Sequence, residues 1–318
     1  MTDFQLQSTT SESARTGRLS EAVDIVNTIV MGKEQQVKLA FSCLLARGHL
    51  LIEDLPGVGK TTLAHALATV IGAQYQRIQF TSDLLPADIL GVSIYRRDIE
   101  MFEFHRGPIF AELVLADEIN RATPKSQSAL LESMAEGQVT IEGSTHMLPE
   151  PFFVIATQNP LEQYGTFPLP ESQLDRFLMR IELGYPDRTA ENRLLKKGRV
   201  KNLLLDMPEC ILPETVMEIQ ARIGDVHLSD PLLNYIQDIL DFTRTSSHFH
   251  VGLSPRAGMA IIQATRSWAF INDRDFALPE DVQLIMPWVA GHRLRSKENL
   301  EELPRHQLKT ILNMVPIP

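Results

Sequence analysis

Lys60 and Thr61 close a short loop, Pro56-Gly57-Val58-Gly59-Lys60-Thr61-Thr62. These residue types at this spacing suit a triphosphate. Two glycines let the backbone curl with its N–H groups turned inward, a nest for phosphate oxygens. Lys60 supplies a point charge for the β- and γ-phosphates, and Thr61 a hydroxyl for Mg2+. A helix starting there adds its positive N-terminal end. Asp117-Glu118 is a second constellation. Asp117 suits a metal held mostly through water, and Glu118 suits orienting and polarising an attacking water. Asn159 offers an amide able to bridge a γ-phosphate and that water. Arg176, in Leu174-Asp175-Arg176-Phe177, suits a finger reaching a neighbouring subunit's γ-phosphate, with Arg180 as the alternative. Arg256 falls in the first turn of a helix, behind Ser254 as N-cap and Pro255 at the first helical position. There it would touch the nucleotide from above and report loss of the γ-phosphate. One position departs from the usual phosphate-loop pattern: Asp54 stands where the first glycine belongs.

These residues need elements to position them. The apolar run before Glu53 reads as a buried strand, and Leu63, Ala64, Leu67 and Ala68 open a helical pattern. Two helices come earlier, over 19–30 and 34–46, separated at Gly32. Tyr75 to Phe80 reads as a second strand. Leu113 to Ala116 and Phe152 to Ala156 read as buried parallel strands, and Phe177 to Leu183 as the last one. Strand C-termini face the ligand in such sheets, which is where Asp117 and Asn159 fall. Two hairpin patterns interrupt the series, over 91–110 and 139–148. From Pro186 onward only helical patterns appear, over 188–199, 213–227, 230–243, 255–271, 279–290 and 300–313. The reading is an α/β fold. A core with a five-stranded parallel sheet occupies residues 1–184, with 1–16 loose, and an all-helical lid domain occupies 185–318.

Composition narrows the function classes. A net charge of −10 opposes a sequence-independent grip on nucleic acid, so no DNA partner is expected. Two cysteines, Cys43 and Cys210, sit far apart in apolar surroundings and read as small buried hydrophobes. No apolar run reaches the ~18 residues of a membrane span, and the polar N-terminus lacks a signal core. A reducing cytoplasm follows as the expected compartment. His248 and His250, without acid or Cys partners, do not read as a metal site.

In order and spacing, the phosphate loop, Asp117-Glu118, Asn159, Arg176 and Arg256 resemble the Walker A, Walker B, sensor 1, arginine finger and sensor 2 of AAA+ ATPases. The two hairpins resemble the helix-2-insert branch. Within it, Ile78-Gln-Phe-Thr-Ser-Asp-Leu-Leu-Pro86, Asp117-Glu-Ile-Asn-Arg-Ala122, Ala156-Thr-Gln-Asn-Pro160 and Leu169-Pro-Glu-Ser-Gln-Leu-Asp-Arg-Phe177 are similar to the MoxR group, which shares the Asp54 departure. The resemblance implies a ring-forming, hexameric ATPase using ATP and Mg2+. It implies a chaperone-like remodeler of protein complexes, or an agent of metal-cofactor insertion, working with a von Willebrand factor A (VWA) domain partner and a protein client. Two other readings stay open: a nucleic-acid-dependent motor of the same branch, and an ATP-gated scaffold with little turnover.

Smaller features carry alternatives. Gln79 and Thr81 either restrain Glu118 or merely end a strand. Arg96, Arg97, Phe102 and Phe104 suit a central-pore grip or a solvated hairpin. Asn120-Arg121 suits a subunit interface or a local ion pair.

Overall fold

The computed structural model describes residues 17–98, 100–160, 165–197, 204 and 206–317. The loose segment expected at 1–16 and the end of the helix expected to reach Arg199 lie outside them. A helix over 17–29 (α1) leads into α2 (Glu34–Leu45). The sheet strands then follow: β1 (Leu50–Glu53), β2 (Tyr75–Gln79), β5 (Leu113–Asp117), β8 (Phe153–Gln158) and β9 (Met179–Ile181). They pair in the order β2-β5-β8-β1-β9, all parallel. Two antiparallel hairpins stand apart from this sheet: β3–β4 (Gly91–Arg96, Met101–Arg106) and β6–β7 (Gln138–Ile141, Ser144–Met147).

Side chains alternate across the sheet, as a strand requires. Leu113 and Leu115 of β5 face one apolar cluster, and Val114 and Ala116 face another. The first cluster joins the sheet to α2, to α3 (Lys60–Val70) and to the helical lid. The second joins it to α4 (Pro124–Glu136) through Leu130 and Leu131. Both faces are covered, which explains why these strands read as unbroken apolar runs.

After the last strand come helices Arg188–Lys197, Pro213–Ile223, Asp230–Thr245, Pro255–Ile271, Pro279–Ala290 and Arg305–Leu312. Pro255–Ile271 packs on α2, and the two exchange buried hydrogen bonds. Ser267 Oγ donates to the Ser42 carbonyl at 2.8 Å, and Ser42 Oγ donates to the Ala264 carbonyl at 3.3 Å. Two expected elements are shorter than the sequence suggests. The last helix starts at Arg305, not at residue 300, because Pro304 disfavours helix at Leu303. The last strand is only Met179–Ile181. Before it, the Phe177 carbonyl is taken by Arg293 Nη2 (2.8 Å) and contacted by His292 Nε2 (3.1 Å) instead of a neighbouring strand.

Candidate functional site

Three neighbouring strands deliver the chemistry-bearing residues to one edge of the sheet. β1 runs into the phosphate loop, β8 beside it ends at Asn159, and β5 beside that ends at Asp117-Glu118. The register pairs Glu53 with Gln158, and Gln79 with Asp117, so these ends lie level.

Gly57 and Gly59 have φ of 82° and 102°, the left-handed region that favours glycine. A Cβ at either would meet nothing within 4 Å, so the cradle is open space bounded by backbone. Lys60 heads α3 directly after Gly59, and its Nζ donates to the carbonyls of Asp54 (2.6 Å) and Gln158 (3.3 Å). Asp54 is buried, and its carboxylate accepts from the N–H groups of Leu55 (2.7 Å) and Gly184 (2.5 Å). The departure from the glycine pattern is therefore a fastener. It ties the start of the loop to the chain that leaves the last strand.

Beside the loop is a recess of about 460 Å3. Ile29, Val30, Val58 and Leu194 make it apolar, and Tyr185 and Lys33 lie at its wall. Lys33 is buried and donates to the Tyr185 carbonyl at 2.7 Å. A flat aromatic base fits such a lining. None of these contacts beyond the loop is marked by a motif; only the apolar end of the first predicted helix hinted at them.

The two acids are tightly engaged. Asp117 Oδ1 accepts from Thr157 Oγ1 at 2.6 Å, and Oδ2 accepts from Arg77 Nη2 at 2.6 Å and Nε at 3.1 Å. Glu118 sits at φ 59° and ψ 48°, sparsely populated for a residue with a side chain. Its N–H donates to Thr157 Oγ1 at 2.9 Å, which holds that backbone in place. Its Oε2 accepts from Gln79 Nε2 at 2.8 Å and pairs with Arg121 Nε at 3.1 Å. Of the two roles open for Gln79, contact with Glu118 is the one the fold makes. For Arg121 it is the local ion pair.

The arginines are divided differently from expectation. Arg180 is 12% exposed and bound to Glu53 and Glu302, which commits it within its own chain. Arg176 donates to the Leu131 carbonyl at 3.1 Å and lines a separate recess of about 280 Å3. Arg256 lines the same recess, with its Nε 3.9 Å from Asp175 Oδ2. It is not among the residues around the phosphate-loop recess. The lid helix is pinned to α2, which fixes its first turn beside Asp175. Contact with the nucleotide from above was expected from sequence; in the fold Arg256 lines the same recess as Arg176 and lies beside Asp175.

Residues 49–179 match the ATPase family associated with various cellular activities (AAA), and residues 241–311 match the AAA lid domain. Chaperone MoxR1 of Mycobacterium tuberculosis is 40% identical over 89% of this chain and 77% of its own length. The chain belongs to the MoxR family of AAA+ ATPases. Uncharacterized protein YeaC of Bacillus subtilis is 45% identical over 87% of this chain and 86% of its own length. A crystal structure from Cytophaga hutchinsonii superimposes with a TM-score of 0.88 at 37% identity, covering 99% of both chains.

Around the MoxR-type site stands a supporting shell that sequence reasoning missed. Arg293, 7% exposed, braces the segment around Arg176: Nε donates to Asp175 Oδ1 at 2.6 Å and Nη2 to the Phe177 carbonyl at 2.8 Å. His49 precedes β1 and is buried. Its Nδ1 accepts from the Val154 N–H at 3.1 Å, so Nε2 carries the proton and donates to the Met134 carbonyl at 3.2 Å. Burial lowers its pKa to about 4. His292 is lowered in the same direction by burial and by the charges of Arg293 and Arg180. Arg77, Thr157 and Arg293 were not singled out from sequence because their partners are remote along the chain.

The hairpins are linked to each other. Phe104 stacks on His146 at 4.2 Å between ring centroids, and Arg96 is held by Asp98 and Glu103. Met101 and Phe102 remain exposed near the end of the first hairpin. No described helix is long and apolar enough to cross a membrane.

Proposed function

We propose that this MoxR-family chain hydrolyses ATP with Mg2+ in a ring, a hexamer, and uses the cycle to remodel protein complexes in the cytoplasm. The observation that carries the reading is the convergence of Gly57–Thr61, Asn159 and Asp117-Glu118 at three adjacent strand ends. In this reading residues 1–184 hold the nucleotide and residues 185–318 act as the lid. The open cradle at Gly57 and Gly59 fits phosphate oxygens, and Lys60 meets the β- and γ-phosphates. The exposed Thr61 hydroxyl and the Asp117 carboxylate suit Mg2+, which when bound neutralises charge on the transferring phosphoryl group.

Water attacks the γ-phosphorus as the bond to the bridging oxygen of ADP breaks. Glu118 accepts the water's proton and passes it to the released phosphate, while Asn159 orients the water. Arg176 and Arg256, which line one recess, suit the γ-phosphate of a neighbouring subunit. A site shared in this way requires a neighbouring subunit, and a closed ring supplies one to every site. The exposed Phe102 hairpin suits contact with a protein client, and a VWA-domain partner or a role in metal-cofactor insertion would follow the family pattern.

The decisive experiment is Glu118→Gln. ATP binding is retained and turnover falls by about 100-fold or more. Normal turnover in that variant would overturn the assigned mechanism. The same variant loaded with ATP serves as a trap for clients in pull-downs. A second reading has one observation in its favour: Gln79 and Arg121 both engage the Glu118 carboxylate. An ATP-gated scaffold with negligible turnover would look like this, and turnover measured with and without a partner separates the two.

A further inference from the structure

β6 and β7 form a sheet of two strands, so the outer edge of β6 is unpaired among the described residues. Which backbone groups face outward follows from the turn. Glu142 and Gly143 both have positive φ, 50° and 81°, as a two-residue type I′ turn requires. Ile141 and Ser144, which flank it, are then a hydrogen-bonded pair, and the pairs alternate from there. The Leu148 N–H donates to the Gly137 carbonyl at 3.0 Å, which keeps that alternation. Thr140 and Thr145 meet through their hydroxyls at 3.2 Å, as side chains of a non-hydrogen-bonded pair do. The N–H and C=O groups of Gln138 and Thr140 therefore point away from β7. This edge, Gln138-Val-Thr-Ile141, carries no proline and no charge, the usual guards of an open strand.

A groove of about 610 Å3 is lined by Gln138, Val139 and Thr140 but by no residue of β7, which places it on the outer side of β6. α4 meets it with Ser128, Ala129 and Ser133, small residues that leave room for a backbone. Pro86 and Leu90 of the short helix Pro86–Leu90 give it an apolar wall. Its charges are divided: Lys125 lies in the first turn of α4, and Glu132 and Glu136 lie in the last two. We infer that this groove docks an extended segment of a partner protein, added as a strand to β6, with an acidic side chain at Lys125 and a basic one at Glu132 and Glu136. Main-chain hydrogen bonds to Gln138 and Thr140 hold the segment, and the charges set its register. The spacing follows from helix and strand geometry. At about 1.5 Å per helical residue, Lys125 is about 10 Å along the axis from Glu132 and about 16 Å from Glu136. At about 3.3 Å per extended residue, the acidic and basic positions of the segment are about three to five residues apart. The inference rests on the remodeling reading only for the partner being a protein; docking itself needs neither ATP nor a ring.

The test uses the full chain and fluorescein-labelled peptides of about nine residues, alternating Val and Thr around one Glu and one Lys about four positions apart. Both chain directions are made, and the tighter is carried forward. Binding is followed by fluorescence anisotropy at low salt without nucleotide. Saturable binding below about 1 mM is expected. Moving the Lys next to the Glu weakens it about fivefold. N-methylation of one alternate set of residues weakens it about tenfold or more, because those N–H groups face β6, and the other set is tolerated. Glu132→Lys combined with Glu136→Lys weakens binding about tenfold, and a peptide carrying Glu in place of its Lys recovers it. No saturable binding at about 1 mM overturns the proposal, as do equal effects of the two N-methylated sets or indifference to the charge reversal. A second copy of the chain as occupant would instead show as a changed sedimentation coefficient of the double variant without peptide, and that result also overturns it. Peptide binding with no ATP turnover in the native chain would overturn the ATPase reading and leave this inference standing.

Discussion

Asp54→Gly would restore the usual first glycine of the phosphate loop, and the structure predicts that the change is harmful. The buried Asp54 carboxylate accepts two backbone N–H groups, one local and one from Gly184 across the domain. A hydrogen bond to a charged acceptor contributes about 1.5–3 kcal/mol. Gly184 is only half-buried, so water recovers part of its loss. Added backbone freedom at the new glycine costs roughly a further 0.5–1 kcal/mol. The net expectation is a loss of about 2–4 kcal/mol. For a chain of this size that lowers the thermal unfolding midpoint by about 5–10 °C. Asp54→Asn, which keeps one neutral acceptor, should lose roughly half as much. ATP affinity should weaken too, because the Asp54 carbonyl is an anchor for Lys60 Nζ. Thermal unfolding followed by circular dichroism, with fluorescent-nucleotide binding alongside, measures both. An Asp54→Gly chain melting within about 1 °C of the native one, with equal ATP affinity, would refute the fastener argument.

The remaining predictions concern the buried histidine and the segment around Arg176. His49 stays neutral in the fold down to about pH 4, whereas the unfolded chain takes up its proton near pH 6.5. The unfolded state therefore binds more protons in that window, and stability falls as the pH drops through it, by up to about 3 kcal/mol. The lowered His292 acts in the same direction. Urea unfolding at pH 7.5 and 4.5 checks this, with a flatter pH dependence expected in His49→Gln; equal stability at the two pH values would contradict it. Arg293→Lys removes the fork that braces Asp175 and Phe177 on either side of Arg176. Turnover should fall by about tenfold while ATP binding per subunit persists, and native turnover would exclude a positioning role for Arg293.

Much was legible from the linear chain because the chemistry is carried by contiguous strings. Gly57 to Thr61 needs only local backbone geometry and a helix start, and apolar strands ahead of Asp117 and Asn159 announce themselves by composition. Helices 255–271 and 279–290 were readable to their ends because Ser254 caps one and prolines open both. The two hairpins were visible as alternating segments around charged or glycine turns.

What the chain order could not reveal depends on partners far apart in sequence. Asp54 looked like a defect until Gly184 was brought to it, and Arg77 was not singled out until β5 placed Asp117 alongside. Arg256 sat in a well-capped helix, but a cap says nothing about direction. Packing of that helix on α2 turned its first turn toward Asp175 and Arg176. Arg180 was the alternative to Arg176 until Glu53 and Glu302 claimed it. The sequence by itself determined the candidate residue types and the strands and helices that carry them, because backbone preference and apolar periodicity are local. Tertiary structure alone decided which charges meet, because ion pairing depends on distances that only the folded sheet and docked lid establish.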